Sequence, residues 1–303
     1  MKGHPIKRAV AKLVARCTPL GMGLITRQIG MARLRRARLP ILVELGENPS
    51  VLIIAFTGGQ QKLNFPVYQF FEVTQTLGCS RILLWDRYYM YYHHGVDRKR
   101  RDWPSLLAFL KSEITRLRPQ TVFCIGVSSG GYAAMIAGHY LGADYVHAFG
   151  PQTRIALDKE AIRNARFRFN RWRLSLSRRV FKEVLDLVPM LEKSNGKTKF
   201  FVHYGSRHKV DREFAERVAG LPSVVTLGYP INTHGVAVFL AKKRFLNHLL
   251  EVANQDNLTE LARLRVGEQV VITQPATGNG RNERAPIDPR CREGISRSNL
   301  QTM

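Results

Sequence analysis

Apolar residues recur along this chain with two periods, and the two periods alternate. Residues 51–56 (Val-Leu-Ile-Ile-Ala-Phe) form an unbroken apolar run of the length expected for a strand buried on both faces. Similar runs occur at 41–45, 81–85, 121–127, 145–149, 199–203 and 224–227. Between them lie segments with helical spacing. Leu106, Leu107, Leu110, Ile114 and Leu117 mark a helix over 105–117, which Pro119 ends. A helix rich in small residues is expected over 130–140, and others over 212–219 and 236–252. Strands separated by helices of this length predict βαβ units and a mostly parallel sheet with helices on both faces.

Two regions break the alternation. Residues 158–193 read as one or two very basic helices, expected to form a small helical cap inserted into the sheet domain. After Gly267 the sequence is polar, Gly/Pro-rich and aperiodic, and disorder is expected over 267–303. The predicted organisation is therefore a basic helical arm at 1–40, one α/β domain at 41–255 carrying the cap, and the tail.

Charge changes this picture mainly at the surface. The formal net charge is +24 over 303 residues. Residues 1–40 hold ten Lys/Arg and no Asp or Glu. Such a field attracts anions, and the expectation is peripheral contact between the arm and an anionic membrane surface. No zinc finger or RNP-like aromatic pattern accompanies the charge, so nucleic acid is not expected as a partner. The four cysteines are scattered without a C-x-x-C pair, and no metal is expected. No apolar run is long enough to span a bilayer. The opening residues, interrupted by Lys12 and Arg16, do not read as a secretory signal. The expected location is cytoplasmic.

The candidate chemistry centres on Gly126-Val127-Ser128-Ser129-Gly130, a G-x-S-x-G pattern between a buried strand and a small-residue helix. A chain turning that sharply from strand to helix holds the central serine in a strained conformation at the carboxyl edge of the sheet, and the flanking glycines leave room for the turn. Ser128 is the expected nucleophile, with the Ser129 N–H facing a developing oxyanion. A serine needs a base at neutral pH. His234 follows the last strand and opens the last helix, where that base belongs. Asp211 is the first carboxylate after the 199–203 strand and the expected orienting acid, although it could instead cap the next helix. Asp86, at the end of the 81–85 strand, competes with it. The turn Thr57-Gly58-Gly59 follows an earlier strand, so the N–H of Gly58 or Thr57 is expected to be the second oxyanion donor. The aromatic stretch 85–96 carries four tyrosines and two histidines, and places Tyr92 and His93 as candidate substrate contacts. No nucleotide-binding glycine motif is present, and no cofactor is expected.

Several segments together resemble a group of bacterial α/β-hydrolase-fold proteins, some found in settings of surface-polysaccharide or glycoconjugate biosynthesis. They are Phe56-Thr57-Gly58, Tyr92-His93-His94-Gly95, Gly126-Val127-Ser128-Ser129-Gly130-Gly131-Tyr132-Ala133-Ala134, Leu141-Gly142-Ala143-Asp144, and Ala148-Phe149-Gly150-Pro151-Gln152-Thr153. The resemblance spans about residues 40–250. It implies a Ser128, Asp211, His234 triad and says little about substrate. The expected function is a serine hydrolase of the esterase type, acting on a small-molecule or glycan ester. The same triad would serve an O-acyltransferase toward a polysaccharide. A non-catalytic protein that binds anionic lipid or nucleic acid through its arm is the alternative from another class. The family pattern often has Ser where this chain has Gly150.

Overall fold

The computed structural model describes residues 40–63, 74, 78–159, 168–194, 196–243, 262, 266 and 269–275. The expected arm falls outside these residues, as do parts of the cap, the end of the last helix and most of the tail. Among the described residues the strands are β1 (Ile41–Glu44), β2 (Asn48–Phe56), β3 (Cys79–Leu84), β4 (Thr121–Val127), β5 (Tyr145–Phe149), β6 (Lys199–Gly205), β7 (Val224–Tyr229) and β8 (Val271–Thr273). They form one sheet in the order β1-β3-β2-β4-β5-β6-β7-β8. The six strands from β3 to β7 in that order are parallel, and β1 and β8 close the two edges antiparallel.

The helices among the described residues are α1 (Trp103–Leu117), α2 (Ser129–Leu141), α3 (Arg168–Ser175), α4 (Val188–Glu192), α5 (Lys209–Glu216) and α6 (Val236–Lys242). Asp102 and Ser105 cap α1 reciprocally, which starts that helix two residues before the periodic pattern does.

Continuous apolar strands are explained by cores on both faces of the sheet. Leu52, Ile54 and Phe56 of β2 enter one core with α1 and α2, while Ile53 and Ala55 enter the other with α6. On this second face a line of rings crosses the sheet. His147 of β5 stacks on Phe123 of β4 at 6.2 Å and on Phe201 of β6 at 5.0 Å. His203 of β6 stacks on Phe149 at 4.8 Å and on Tyr229 of β7 at 6.0 Å. Polar atoms within the stack satisfy one another. His147 Nδ1 lies 3.1 Å from His203 Nε2, and His203 Nδ1 lies 2.9 Å from the Tyr229 hydroxyl. Burial favours the uncharged rings, lowering His147 to about 3 and His203 well below its ordinary value.

Strand β8 corrects the sequence reading at the start of the tail. Val271, Ile272 and Thr273 pair with Gly228, Leu227 and Thr226 of β7. Three residues are too few to display a period, so this edge strand merged with the polar segment around it.

Candidate active site

The turn from β4 into α2 has the geometry its spacing predicts. Ser128 has φ 56 and ψ −119, a left-handed conformation that costs a non-glycine residue about 1–3 kcal/mol. Close packing enforces it. A Cβ on Gly126 would lie 2.1 Å from the Gly130 carbonyl oxygen, and one on Gly130 would lie 2.2 Å from the Phe56 carbonyl oxygen. Helix α2 therefore approaches the ends of β2 and β4 at a distance only two glycines permit. The Ser128 N–H donates to Phe149 O at 2.9 Å, tying the turn to the end of β5.

The residue after Phe149 meets the other two members of the predicted triad. A Cβ on Gly150 would lie 3.1 Å from Asp211 Oδ2, 3.1 Å from His234 Cε1 and 3.2 Å from His234 Nδ1. Phe149 and Gly150 thus join the serine turn to the acid–imidazole pair across two successive residues. His234 Nδ1–H donates to Asp211 Oδ1 at 2.8 Å, which in the neutral ring puts the proton on Nδ1 and the lone pair on Nε2. The Asp211 side chain is 2% exposed and that of His234 is 42% exposed. The carboxylate is buried and fixed, while the imidazole is open to water.

Asp211 does not cap α5. His208 holds that position, its Nδ1 accepting from the Asp211 backbone N–H at 3.3 Å. Asp211 sits in the first helical turn, which turns its side chain toward His234. His208 Nδ1 also lies 3.1 Å from Asp211 Oδ1, so two imidazoles converge on one carboxylate oxygen. Nothing in the sequence marked His208 beyond its place three residues before Asp211. His208, Asp211 and His234 also offer ligand atoms within 4.8 Å of one another. Of these atoms, His234 Nδ1 is hydrogen-bonded to Asp211 Oδ1 and His208 Nδ1 to the Asp211 backbone N–H.

Asp86 has a different task. Its carboxyl is buried, accepts the Tyr92 N–H at 3.3 Å and is surrounded by the backbone N–H groups of residues 88, 90 and 91. Desolvation raises it to about 6. It gathers a loop in which Tyr89, Tyr91 and Tyr92 all have positive φ.

Tyr92 and His93 are corrected from substrate contacts to internal struts. Both are wholly buried. The Tyr92 hydroxyl donates to the carbonyls of Thr57 (3.0 Å) and Leu84 (3.1 Å), bracing the ends of β2 and β3. His93 Nδ1 accepts the Phe181 N–H at 3.1 Å, and its Nε2 lies 3.0 Å from the Tyr132 hydroxyl. That hydroxyl donates to Val184 O at 2.9 Å, so His93 Nε2 carries the proton and the ring is neutral. Burial lowers His93 to about 3, in keeping with that state. The aromatic run follows a strand at the expected rim, but its polar atoms turn inward, Tyr92 to the strand-end carbonyls of Thr57 and Leu84 and His93 to Phe181 and Tyr132.

Among the described residues the turn after β2 leaves a different N–H unengaged from the two expected. Thr57 N–H donates to Leu84 O at 3.1 Å and Gly58 N–H to Lys62 O at 2.9 Å, so both predicted donors are engaged. The Gly59 N–H donates to no group among the described residues. Gly59 stands beside the helix start, since a Cβ on it would lie 3.9 Å from Ser129 Oγ. The Ser129 N–H, at the start of α2, is in the same way unclaimed by any described group.

The fold is that of the α/β-hydrolases. A 2,6-dihydroxy-pseudo-oxynicotine hydrolase superposes with a TM-score of 0.50 over 78% of this chain and 67% of that one, at 13% identity. Est1E from Butyrivibrio proteoclasticus is similar over 70% of this chain and 93% of its own, with a TM-score of 0.44 and 13% identity. The glycosylation-associated Gap123 complex from Streptococcus agalactiae matches 72% of this chain and 44% of its own, with a TM-score of 0.48 and 11% identity. No family model and no curated protein sequence matches the chain. Among the described residues, no helix is long and apolar enough to cross a membrane.

Proposed function

We propose that this chain is a serine hydrolase of the esterase type. Ser128 Oγ attacks the acyl carbon and passes its proton to His234 Nε2. Asp211 Oδ1 holds His234 through Nδ1–H and stabilises the imidazolium that forms. The Ser129 and Gly59 N–H groups receive the negative charge that develops on the carbonyl oxygen. The tetrahedral intermediate collapses as the ester oxygen leaves with the proton from His234. Water, deprotonated by the same nitrogen, then attacks the acyl-Ser128 ester, and the acid departs with Ser128 restored.

The observation that carries this reading is the Asp211–His234 hydrogen bond at the strand ends where Ser128 is held with positive φ, the two joined through Phe149 and Gly150.

A fluorophosphonate probe tests the reading. The wild-type chain is expected to label and the Ser128→Ala variant to remain unlabelled. Equal labelling of both would move the chemistry away from Ser128.

A further inference from the structure

The cap carries an apolar surface that the proposed chemistry does not use. On α3, Phe169, Trp172 and Leu176 (one residue beyond its end) are 62%, 49% and 65% exposed. Their spacing of three and four residues places them on one side of the helix, while Leu174 is wholly buried on the other. The ring centroids of Phe169 and Trp172 are 5.8 Å apart, so the stripe is continuous. Of the nine exposed large hydrophobic residues described, three fall within these eight positions, which is clustering rather than scatter.

Cations flank the stripe. Arg168, Arg173, Arg178 and Arg179 are exposed, and the Arg173 guanidinium lies 5.8 Å from the centroid of the Phe169 ring. From 161 to 182 the sequence contains no Asp or Glu. The segment is anchored to the loop beyond β3. His94 Nε2 lies 2.7 Å from Ser177 Oγ, and the Phe181 N–H donates to His93 at 3.1 Å.

We propose that this face of α3 docks the protein on an anionic phospholipid bilayer. An aromatic and aliphatic stripe bordered by arginines is the arrangement of a helix lying in the membrane interface. Its apolar side enters the acyl boundary, and its guanidinium groups reach lipid phosphates. The basic arm does not complement it, because residues 1–39 carry ten Lys/Arg and no acidic residue. Leu176, the most exposed of the three, has no π face on which a base could stack, which favours lipid over single-stranded nucleic acid.

The test is sedimentation of the full-length chain with vesicles of phosphatidylcholine alone or mixed in equal parts with phosphatidylglycerol. The wild type is expected to bind the mixed vesicles, more weakly as salt rises. The triple variant Phe169→Ser, Trp172→Ser, Leu176→Ser is expected to bind at least about tenfold more weakly. Each of Arg173→Glu and Arg179→Glu is expected to cost about fivefold or more. Restoring the stripe as Phe169→Leu with Trp172→Leu is expected to return binding, which guards against a folding defect. Hydrolysis of a water-soluble ester should be unchanged in all of these, so loss of docking and loss of Ser128 chemistry read out separately. Three results would overturn the proposal: no binding by the wild type, equal binding by the triple variant, or loss of single-stranded RNA binding in that variant with vesicle binding intact.

Discussion

His208 and His234 share one oxygen of Asp211, at 3.1 and 2.8 Å. The two imidazoles have unequal roles. In the proposed mechanism His234 is the acid–base group, whereas His208 accepts the N–H of Asp211 and starts the helix that carries it. Asp211→Asn is expected to lower kcat by about 10⁴-fold, because the amide favours the wrong tautomer of His234. His208→Ala removes a helix cap and is expected to cost about 1 kcal/mol of stability, with activity reduced less than about tenfold. Steady-state kinetics and thermal melts on the two variants separate these effects. Equal losses of activity would give His208 a direct part in proton transfer.

Asp86 provides the contrasting carboxylate. Asp86→Asn leaves the triad intact but replaces an acceptor inside a loop built around it. A buried group left with the wrong hydrogen bonding costs about 1–3 kcal/mol. The expected outcome is a lower melting temperature, with kcat nearly unchanged at temperatures where the variant is folded.

Gly150 presses against both Asp211 and His234 with φ +53. Gly150→Ala adds a methyl at 3.1 Å from the carboxylate and the ring, in a backbone conformation that alanine disfavours by about 1–2 kcal/mol. The Asp211–His234 bond must lengthen to accept it. A fall in kcat of at least about tenfold is expected from this loss of orientation, with KM little changed. Unaltered kcat would mean that the pair moves as a unit and tolerates the added group.

Stability should fall as pH is lowered below about 6.5, the ordinary histidine value. His93 and His147 are each lowered to about 3, and His203 is lowered well below its ordinary value. Between those values and 6.5 the unfolded chain binds protons that the folded chain does not, so acid favours unfolding. Each such histidine contributes a slope approaching about 1.4 kcal/mol per pH unit. Asp86, raised to about 6, has the opposite sign between 6 and its ordinary 3.8, because there the folded chain takes up the proton. Chemical denaturation at pH 7.5, 6 and 5 should therefore show a net decline close to that of two histidines in the lower interval. A flat profile would mean that these rings are reached by water or protonated in the fold.

The sequence made visible what depends on a local pattern. Strands β4 and β5 match the predicted 121–127 and 145–149 because each is a mostly apolar run between sharp breakers. Ser128 was legible because the steric demand of its turn is written in neighbouring glycines. The pairing of His234 with Asp211 was expected from strand order. The choice between Asp211 and Asp86 required knowing which carboxylate meets an imidazole. The second oxyanion donor failed for a related reason. Which N–H of Thr57, Gly58 and Gly59 is engaged depends on Leu84 and Lys62, whose carbonyls no spacing rule places there. Tyr92 and His93 failed because both rings are buried and their polar atoms are taken up by the Thr57 and Leu84 carbonyls, the Phe181 N–H and the Tyr132 hydroxyl, partners that no spacing rule places there. His208 was missed because a histidine N-cap carries no sequence signature of its own.

The stacked rings of Phe123, His147, Phe149, Phe201, His203 and Tyr229 key each of four neighbouring strands to the next by side chains as well as backbone. The strands leading to Ser128 and to His234 are thereby made parts of one plate. Loops and cap can be exchanged above such a plate without changing the spacing of the reacting groups, so a new substrate range can be acquired there at little risk to the chemistry beneath.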